Sequence, residues 1–374
     1  MLNQLLKAMV VMDASDLYLV HGSPPVLRVH GEARTAQLPS LGPADVDAVL
    51  RGILSSAQLA IFDAEHELNC AFDQPGLGRF RVNVYRERGS MAGVFRRIHD
   101  TVPSLHDLGM PPIVEHCAMA RRGLILVVGS AGSGKSTLLA SMVAMRSQKS
   151  TGHILTIEDP IEFLHTHNRS LVTQREVGGD TNSFASALKN ALRQAPDVIM
   201  IGEIRDQVSM EAALSLAEAG HLCVATLHAN SADQAIERVM GFFPNSRHDQ
   251  IMAQFALVMV AVFSVRLVPA VGGGRAAAVE ALVSSDRIRS LLVAGSVDRI
   301  KLAMAEAADG SGTFDDALRV LVRRGRIMPD DAVANADSPN NLRLHLDQDQ
   351  LKEGPADLPA MSSVRLRPTP AAVS

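Results

Sequence analysis

Apolar positions near the start of the chain recur first at helical and then at strand spacing. Leu2, Leu5, Leu6, Met9 and Val10 share one helical face, so residues 2–10 are expected as an amphipathic helix. Short strands are expected at Leu17–Val20, Val26–Val29, Arg79–Val84 and Gly93–Ile98. Gly22, Pro24–Pro25, Gly31, Pro75–Gly76 and Gly89 punctuate them. A helical stretch, Pro43 to Ala60, lies between the second and third strands. Together these describe a small α+β domain over residues 1–99. Residues 100–122 read as a linker stiffened by Pro103, Pro111 and Pro112.

From Gly123 the pattern changes. Leu124–Val128, Ile154–Ile157, Val198–Ile201 and Leu222–Leu227 are continuous apolar runs, as expected of parallel strands buried on both faces. Between them Phe184, Ala187, Leu188, Ala191 and Leu192 form one helical stripe, with Asp180, Thr181 and Ser183 as candidate caps. The fold expected over 123–279 is therefore an α/β core on a parallel sheet. Helices are expected over 280–346. Residues 347–374, rich in Pro, Asp and Ser, read as a disordered tail. No internal repeat is visible.

Composition narrows the partners. The chain has 374 residues, 47% of them hydrophobic, so two domains with sizeable cores fit. A net charge of −4 and an aromatic content of 3% with no Trp disfavour a nucleic-acid surface built on charge and stacking. Cys70, Cys117 and Cys223 are far apart and form no CxxC pair, as in reduced cytosolic proteins. Asp13 and Asp16 follow the first apolar run at once, which does not suit a secretory signal. The run Phe255–Val265 is too short to span a bilayer, so any membrane contact is expected to be peripheral.

The chemistry is written most clearly at residues 129–136. Gly129, Ser130, Ala131, Gly132, Ser133, Gly134, Lys135 and Ser136 form a full GxxxxGK[ST] loop between an apolar strand and a helix that continues through Thr137. Such a loop curls its amides around phosphate at a helix N-terminus. Lys135 is placed to reach the β- and γ-phosphates of ATP, and the Ser136 hydroxyl to ligate Mg²⁺. The metal and the attacking water need carboxylates at neighbouring strand ends. Glu203 closes the strand from Asp197; Glu158, Asp159 and Glu162 follow Ile154–Ile157. His221 and His228 flank the strand Leu222–Leu227. His228 lies at the carboxyl end, where a γ-phosphate sensor is useful, and His221 at the other. A lone histidine is more often structural.

On these motifs the chain resembles the type IV pilus retraction ATPases, the PilT/PilU family of secretion-type ATPases, over about residues 1–346. The residues carrying the resemblance are Ser15-Asp16-Leu17 with Pro24-Pro25, Gly78–Asn83, the phosphate loop, and Thr156–Phe163, which is similar to the family's Asp box. They continue with Leu192–Asp206, similar to its Walker B region, and Gly220–Asn230, similar to its His box. Phe242-Phe243-Pro244 with Arg247-His248, and Ala336-Asp337-Ser338, lean toward the PilU branch. The resemblance implies a PAS-like N-terminal domain, a RecA-like ATPase domain with a helical C-terminal part, and a homohexamer at the cytoplasmic face of the inner membrane. It implies as partners a pilus platform protein and a second retraction ATPase. It further implies that Glu162 polarises water, that Glu203 acts on Mg²⁺, and that His228 and His221 sense the γ-phosphate. Arg81 and Arg96 of the small domain would contact the nucleotide.

Two departures stand out. Val260 and Val265 replace a polar residue and a glutamine of the family. The family helix Ala-Ile-Arg-Asn-Leu-Ile-Arg-Glu reads here Arg287 to Ala294 and keeps only Arg289 of its charged residues. Two rivals to retraction are a pilus-assembly or secretion ATPase and a nucleotide-binding ring subunit that docks on another motor. Cys223 alone stands after Walker B, where assembly ATPases commonly carry four zinc-binding cysteines.

Overall fold

The computed structural model describes residues 1–29, 31–98, 101–307 and 309–353. Its N-terminal part opens with α1 (Leu2–Val11), β1 (Ala14–Leu19), β2 (Val26–Val29) and β3 (Glu32–Thr35). It continues with α2 (Pro43–Arg51), α3 (Ser56–Glu65), β4 (Glu67–Gln74), β5 (Gly78–Glu87) and β6 (Ser90–Arg97). The six strands form one antiparallel sheet in the order β3-β2-β1-β6-β5-β4. Alternation sets its faces. Leu17, Leu19, Phe80, Val82, Val84 and Phe95 point into a core closed by Leu6 and Met9 of α1, Leu50 of α2 and Phe62 of α3. Asp16, Arg81 and Arg96 are at intervening positions, with Arg81 opposite Arg96 and Arg96 opposite Asp16 in the ladder. The expected helix 43–60 is two helices, because Gly52 ends the first and Ser55 caps the second. Strands β3 and β4 are not expected from the sequence, because neither carries a strong apolar run.

The expected boundary at residues 99 and 100 lies outside the described residues. The segment read as a linker holds a helix, α4 (Pro112–Ala118), whose Val114, Cys117 and Ala118 are buried against the second sheet. A proline at N1 starts it without loss, since that amide has no helical partner.

The C-terminal part is built on β7 (Gly123–Val128), α5 (Lys135–Lys149), β8 (Gly152–Glu158), β9 (Ser170–Glu176), α6 (Phe184–Ala191) and β10 (Val198–Ile201). Then come α7 (Gln207–Glu218), β11 (Leu222–Leu227), α8 (Ala232–Gly241), α9 (His248–Val258), β12 (Met259–Pro269) and β13 (Arg275–Val283). The seven strands run in the order β13-β12-β7-β11-β10-β8-β9; all neighbours are parallel except the β12–β13 hairpin. Leu124, Leu126 and Val128 of β7 face one core with α6–α9, while Ile125 and Val127 face a second with α4 and α5. The uninterrupted apolar runs follow from this two-sided burial. Ser183 is the residue that caps α6, its Oγ accepting from the Ser186 amide at 3.1 Å.

The described residues finish with α10 (Asp286–Val293), α11 (Ile300–Ala305), α12 (Phe314–Arg323), α13 (Pro329–Ala334) and α14 (Pro339–Glu353). The sheet extends through β13 to Val283, past the expected end of the core at 279. The tail expected from 347 instead begins inside α14, whose Leu342 and Leu346 bury against Phe314 and Leu318. Residues 354–374 of that expected tail lie outside the described residues. Among the described residues no helix is long and apolar enough to cross a membrane.

Candidate functional site

Parallel strands deliver their carboxyl ends to one edge of the second sheet. β7 ends at Val128 and the chain turns through Gly129 to Gly134 into α5. Gly129 has no room for a side chain: a Cβ there would stand 2.3 Å from Ser133 Oγ and 2.6 Å from the Val265 carbonyl oxygen. Gly132 and Gly134 adopt φ +73° and +95°, and Gly134 caps α5. The turn thus opens the first amides of a fifteen-residue helix toward the sheet edge. Lys135, first in α5, is buried, and its Nζ donates to the carbonyl oxygens of Gly129 and Ser130 at 2.8 Å each.

A cavity of about 350 Å³ lies at this edge, lined by Gly132, Lys135, Ser136, Glu158, Asp159, Glu162, Glu203, Arg205, His228 and, from β5 of the small domain, Arg81. Gly129, Ser130, Ala131, Ser133, Gly134 and Thr137 belong to the turn and first helical residues that shape it. Glu203 follows β10 and is pinned at both oxygens: His228 Nε2 stands 2.8 Å from Oε1, and Arg205 Nε donates to Oε2 at 2.6 Å. Arg205 also reaches Asp159 at 3.5 Å. Burial pulls the Lys135 ammonium below its ordinary range, and the Glu203 and Glu162 carboxylates oppose that pull. Glu162 lies past a cis Asp159–Pro160 bond and is itself exposed, between the buried Ile161 and the half-buried Phe163. Glu158, the last residue of β8, is 5% exposed, and burial pushes its carboxyl up to about 7, against hydrogen bonds from Gln174 and Thr156.

The site residues read from sequence therefore divide. Lys135, Ser136, Glu162, Glu203, His228 and Arg81 meet in one cavity. His221 does not: it precedes β11, a strand length of roughly 20 Å from His228, and its Nδ1 stands 3.1 Å from the Leu216 carbonyl oxygen. Arg96 is also outside the lining. It is largely exposed, and its Nε donates to Asp16 at 2.8 Å. Sequence reasoning missed Arg205, although its position two residues after Glu203 on one loop was a signal.

The arrangement offers a cationic cradle for phosphate, with carboxylates and an imidazole lining the same cavity. Comparisons with known proteins fit it. The family model for the type II/IV secretion system protein matches residues 94–294. The type IV pilus ATPase PilU of Pseudomonas aeruginosa is 45% identical over 343 residues, 91% of this chain and 90% of that protein. The pilus retraction ATPase PilT of the same organism is 38% identical over 341 residues, 91% of this chain and 99% of that protein. A crystal structure of the pilus retraction motor PilT with bound ADP superposes with a TM-score of 0.86 at 37% identity, covering 91% of this chain and 98% of that one.

Proposed function

The chain belongs to the type II/IV secretion ATPases, in the PilT/PilU family of type IV pilus retraction proteins, and we propose from that membership how its cavity drives a motor. It is an ATP hydrolase that powers pilus retraction. The observation that carries the mechanism is the convergence of Lys135, Ser136, Glu162, Glu203, His228 and Arg81 on one cavity. The amides of 129–136 hold the phosphates, and Lys135 exchanges its carbonyl partners for phosphate oxygens. Glu162 orients and polarises the attacking water. His228, already against Glu203, senses the γ-phosphate.

Mg²⁺ suits the residues present. Among the described residues no cluster of three His, Cys, Asp or Glu side chains is poised for a metal. A cation held by phosphate oxygens, water and one hydroxyl needs no such cluster. Ser136 would supply the hydroxyl, and Glu203 would act on the metal through water. The metal's contribution is to neutralise charge on the phosphates.

Arg81 makes the small domain part of the site, so loss of the γ-phosphate changes how that domain sits. Arg96, opposite Arg81 in the β5–β6 ladder, is available to the same anion once Asp16 releases it. The working unit is a homohexamer docked peripherally on a platform protein at the cytoplasmic face of the inner membrane, and it associates with a second retraction ATPase. The higher identity to PilU than to PilT supports the accessory role. Labelled pili tested under load decide this. Cells carrying Glu162→Gln should retract less often and stall at lower force than wild type. Unchanged retraction under load contradicts the reading.

A further inference from the structure

The loop that carries Glu162 is held from outside the cavity. Two alternate residues of β9, the edge strand, reach it. Gln174 Nε2 donates to the Phe163 carbonyl oxygen at 2.9 Å, and its Oε1 accepts from the His165 amide at 2.8 Å. Glu176 Oε2 accepts from the Ile161 amide at 3.2 Å. These three main-chain anchors stand on both sides of Glu162. The amide of Gln174 meets an acceptor with its nitrogen and a donor with its oxygen, which a carboxylate or hydroxyl of that reach does not reproduce. The same Nε2 donates to Glu158 Oε1 at 3.0 Å, which also accepts from Thr156 Oγ1 at 2.7 Å, so the clamp is rooted in the core strand β8.

The clamp has a second attachment. Arg79 of β5, on the small domain, donates from Nη2 to the same Glu176 Oε2 at 3.4 Å, while its Nη1 donates to Asp73 at 2.9 Å. Both Arg79 and Glu176 are mostly shielded from solvent, at 19% and 10% side-chain exposure, so this pair is less screened than a surface pair. One carboxylate oxygen thus joins the small domain to the backbone next to Glu162.

We propose that Gln174 and Glu176 are positioning residues for Glu162, and that Arg79 transmits the placement of the small domain to them. Arg81 touches the cavity and Arg79 touches Glu176 of the clamp, two residues apart on β5. When the small domain moves, the Arg79 contact with Glu176 changes, and the loop loosens or sets. Turnover is then coupled to domain placement without contact between Arg79 and nucleotide. The proposal rests on the reading of Glu162 as the residue that activates water.

The test compares wild type, Glu162→Gln, Gln174→Ala and the double variant, all assembled with Mg²⁺. It measures kcat, affinity for a fluorescent ADP analogue, and deuterium uptake over residues 159–166. Misplacing a catalytic group by a fraction of a bond length is costly. Gln174→Ala should therefore lower kcat roughly tenfold or more. Its nucleotide affinity should stay within about twofold, since uniform binding is untouched. Uptake over 159–166 should rise, and added to Glu162→Gln the change should cost less than about twofold. Wild-type kcat in Gln174→Ala beside an inactive Glu162→Gln overturns the clamp alone. An equal loss in both backgrounds also overturns it. A fully active Glu162→Gln instead refutes the reading of Glu162, and the proposal falls with it. Should Gln174→Ala fail to bind nucleotide, Glu176→Gln decides. It keeps an acceptor for the Ile161 amide but not the ion pair. Lowered kcat, matched by Arg79→Ala and largely restored in Arg79→Lys, supports the coupling; wild-type kcat in Glu176→Gln and Arg79→Ala overturns it.

Discussion

Replacing Gly129 by Ala tests whether the phosphate loop depends on close backbone approach. The new methyl would lie 2.6 Å from the Val265 carbonyl oxygen and 2.3 Å from Ser133 Oγ. Ser133 can turn, but Val265 belongs to β12, laddered to β13 on one side and β7 on the other, and cannot retreat. Overpacking of this kind costs about 1–3 kcal/mol, and the backbone at φ +153° adds about 1–3 kcal/mol for a residue with a Cβ. Gly132→Ala is the internal control: φ is +73° and nothing lies within 4 Å of its Cβ. It carries about 1–2 kcal/mol of left-handed strain alone. Ser130, Ala131 and Gly132 are exposed, so the loop relaxes locally and the strain is met when nucleotide restores its curl. The clash separates the two variants by about 1–3 kcal/mol, a factor of roughly five or more in Kd. Titration with a fluorescent ADP analogue measures both, with melting temperature as the check on folding. If Gly129→Ala binds as tightly as Gly132→Ala while both melt like wild type, the cradle argument is wrong.

Three further outcomes follow from the structure. Glu158 has its carboxyl pushed up from 4.5 to about 7, so the folded chain keeps that proton longer than the unfolded one. Its contribution is fully present below about 4.5 and is lost as pH rises through about 7, so Glu158→Gln should flatten the fall in melting temperature between about pH 5 and pH 8; parallel curves would contradict this. Leu342→Ala, at a position 1% exposed, should cost about 2–5 kcal/mol in denaturant melts. Leu344→Ala, at a position 59% exposed, should cost under about 0.5 kcal/mol. Chelating Mg²⁺ with EDTA should bring hydrolysis to background, and excess Mg²⁺ should restore it; turnover surviving EDTA would remove the metal from the account.

What could be read in advance was what the chain writes locally. The loop at 129–136 and the acids at 158, 162 and 203 follow apolar strands within a few residues, so their meeting at one sheet edge is a consequence of parallel topology. The rest depends on contacts distant in sequence. Gln174 and Glu176 lie on an edge strand whose pattern mixes buried and half-buried positions, and Arg79 reaches Glu176 across 97 residues. The run Phe255–Val265 changes from helix to strand at Met259 with no glycine or proline to mark it, since a continuous apolar run suits either. Among the described side chains of helix α14, Leu342 and Leu346, one turn apart, are buried while Leu344 between them is exposed, so a single apolar pair marks its packing face. His221 shares a motif with His228 but not a place, because a strand separates its two ends.

Steady-state ATP hydrolysis by the purified chain, beside that of Glu162→Gln, tests the central claim most directly when nucleotide affinity is measured on the same samples. The account predicts turnover by the wild type and near-complete loss in the variant, with both binding nucleotide equally. Binding without hydrolysis by either protein would contradict it and would favour a ring subunit that works by docking on another motor.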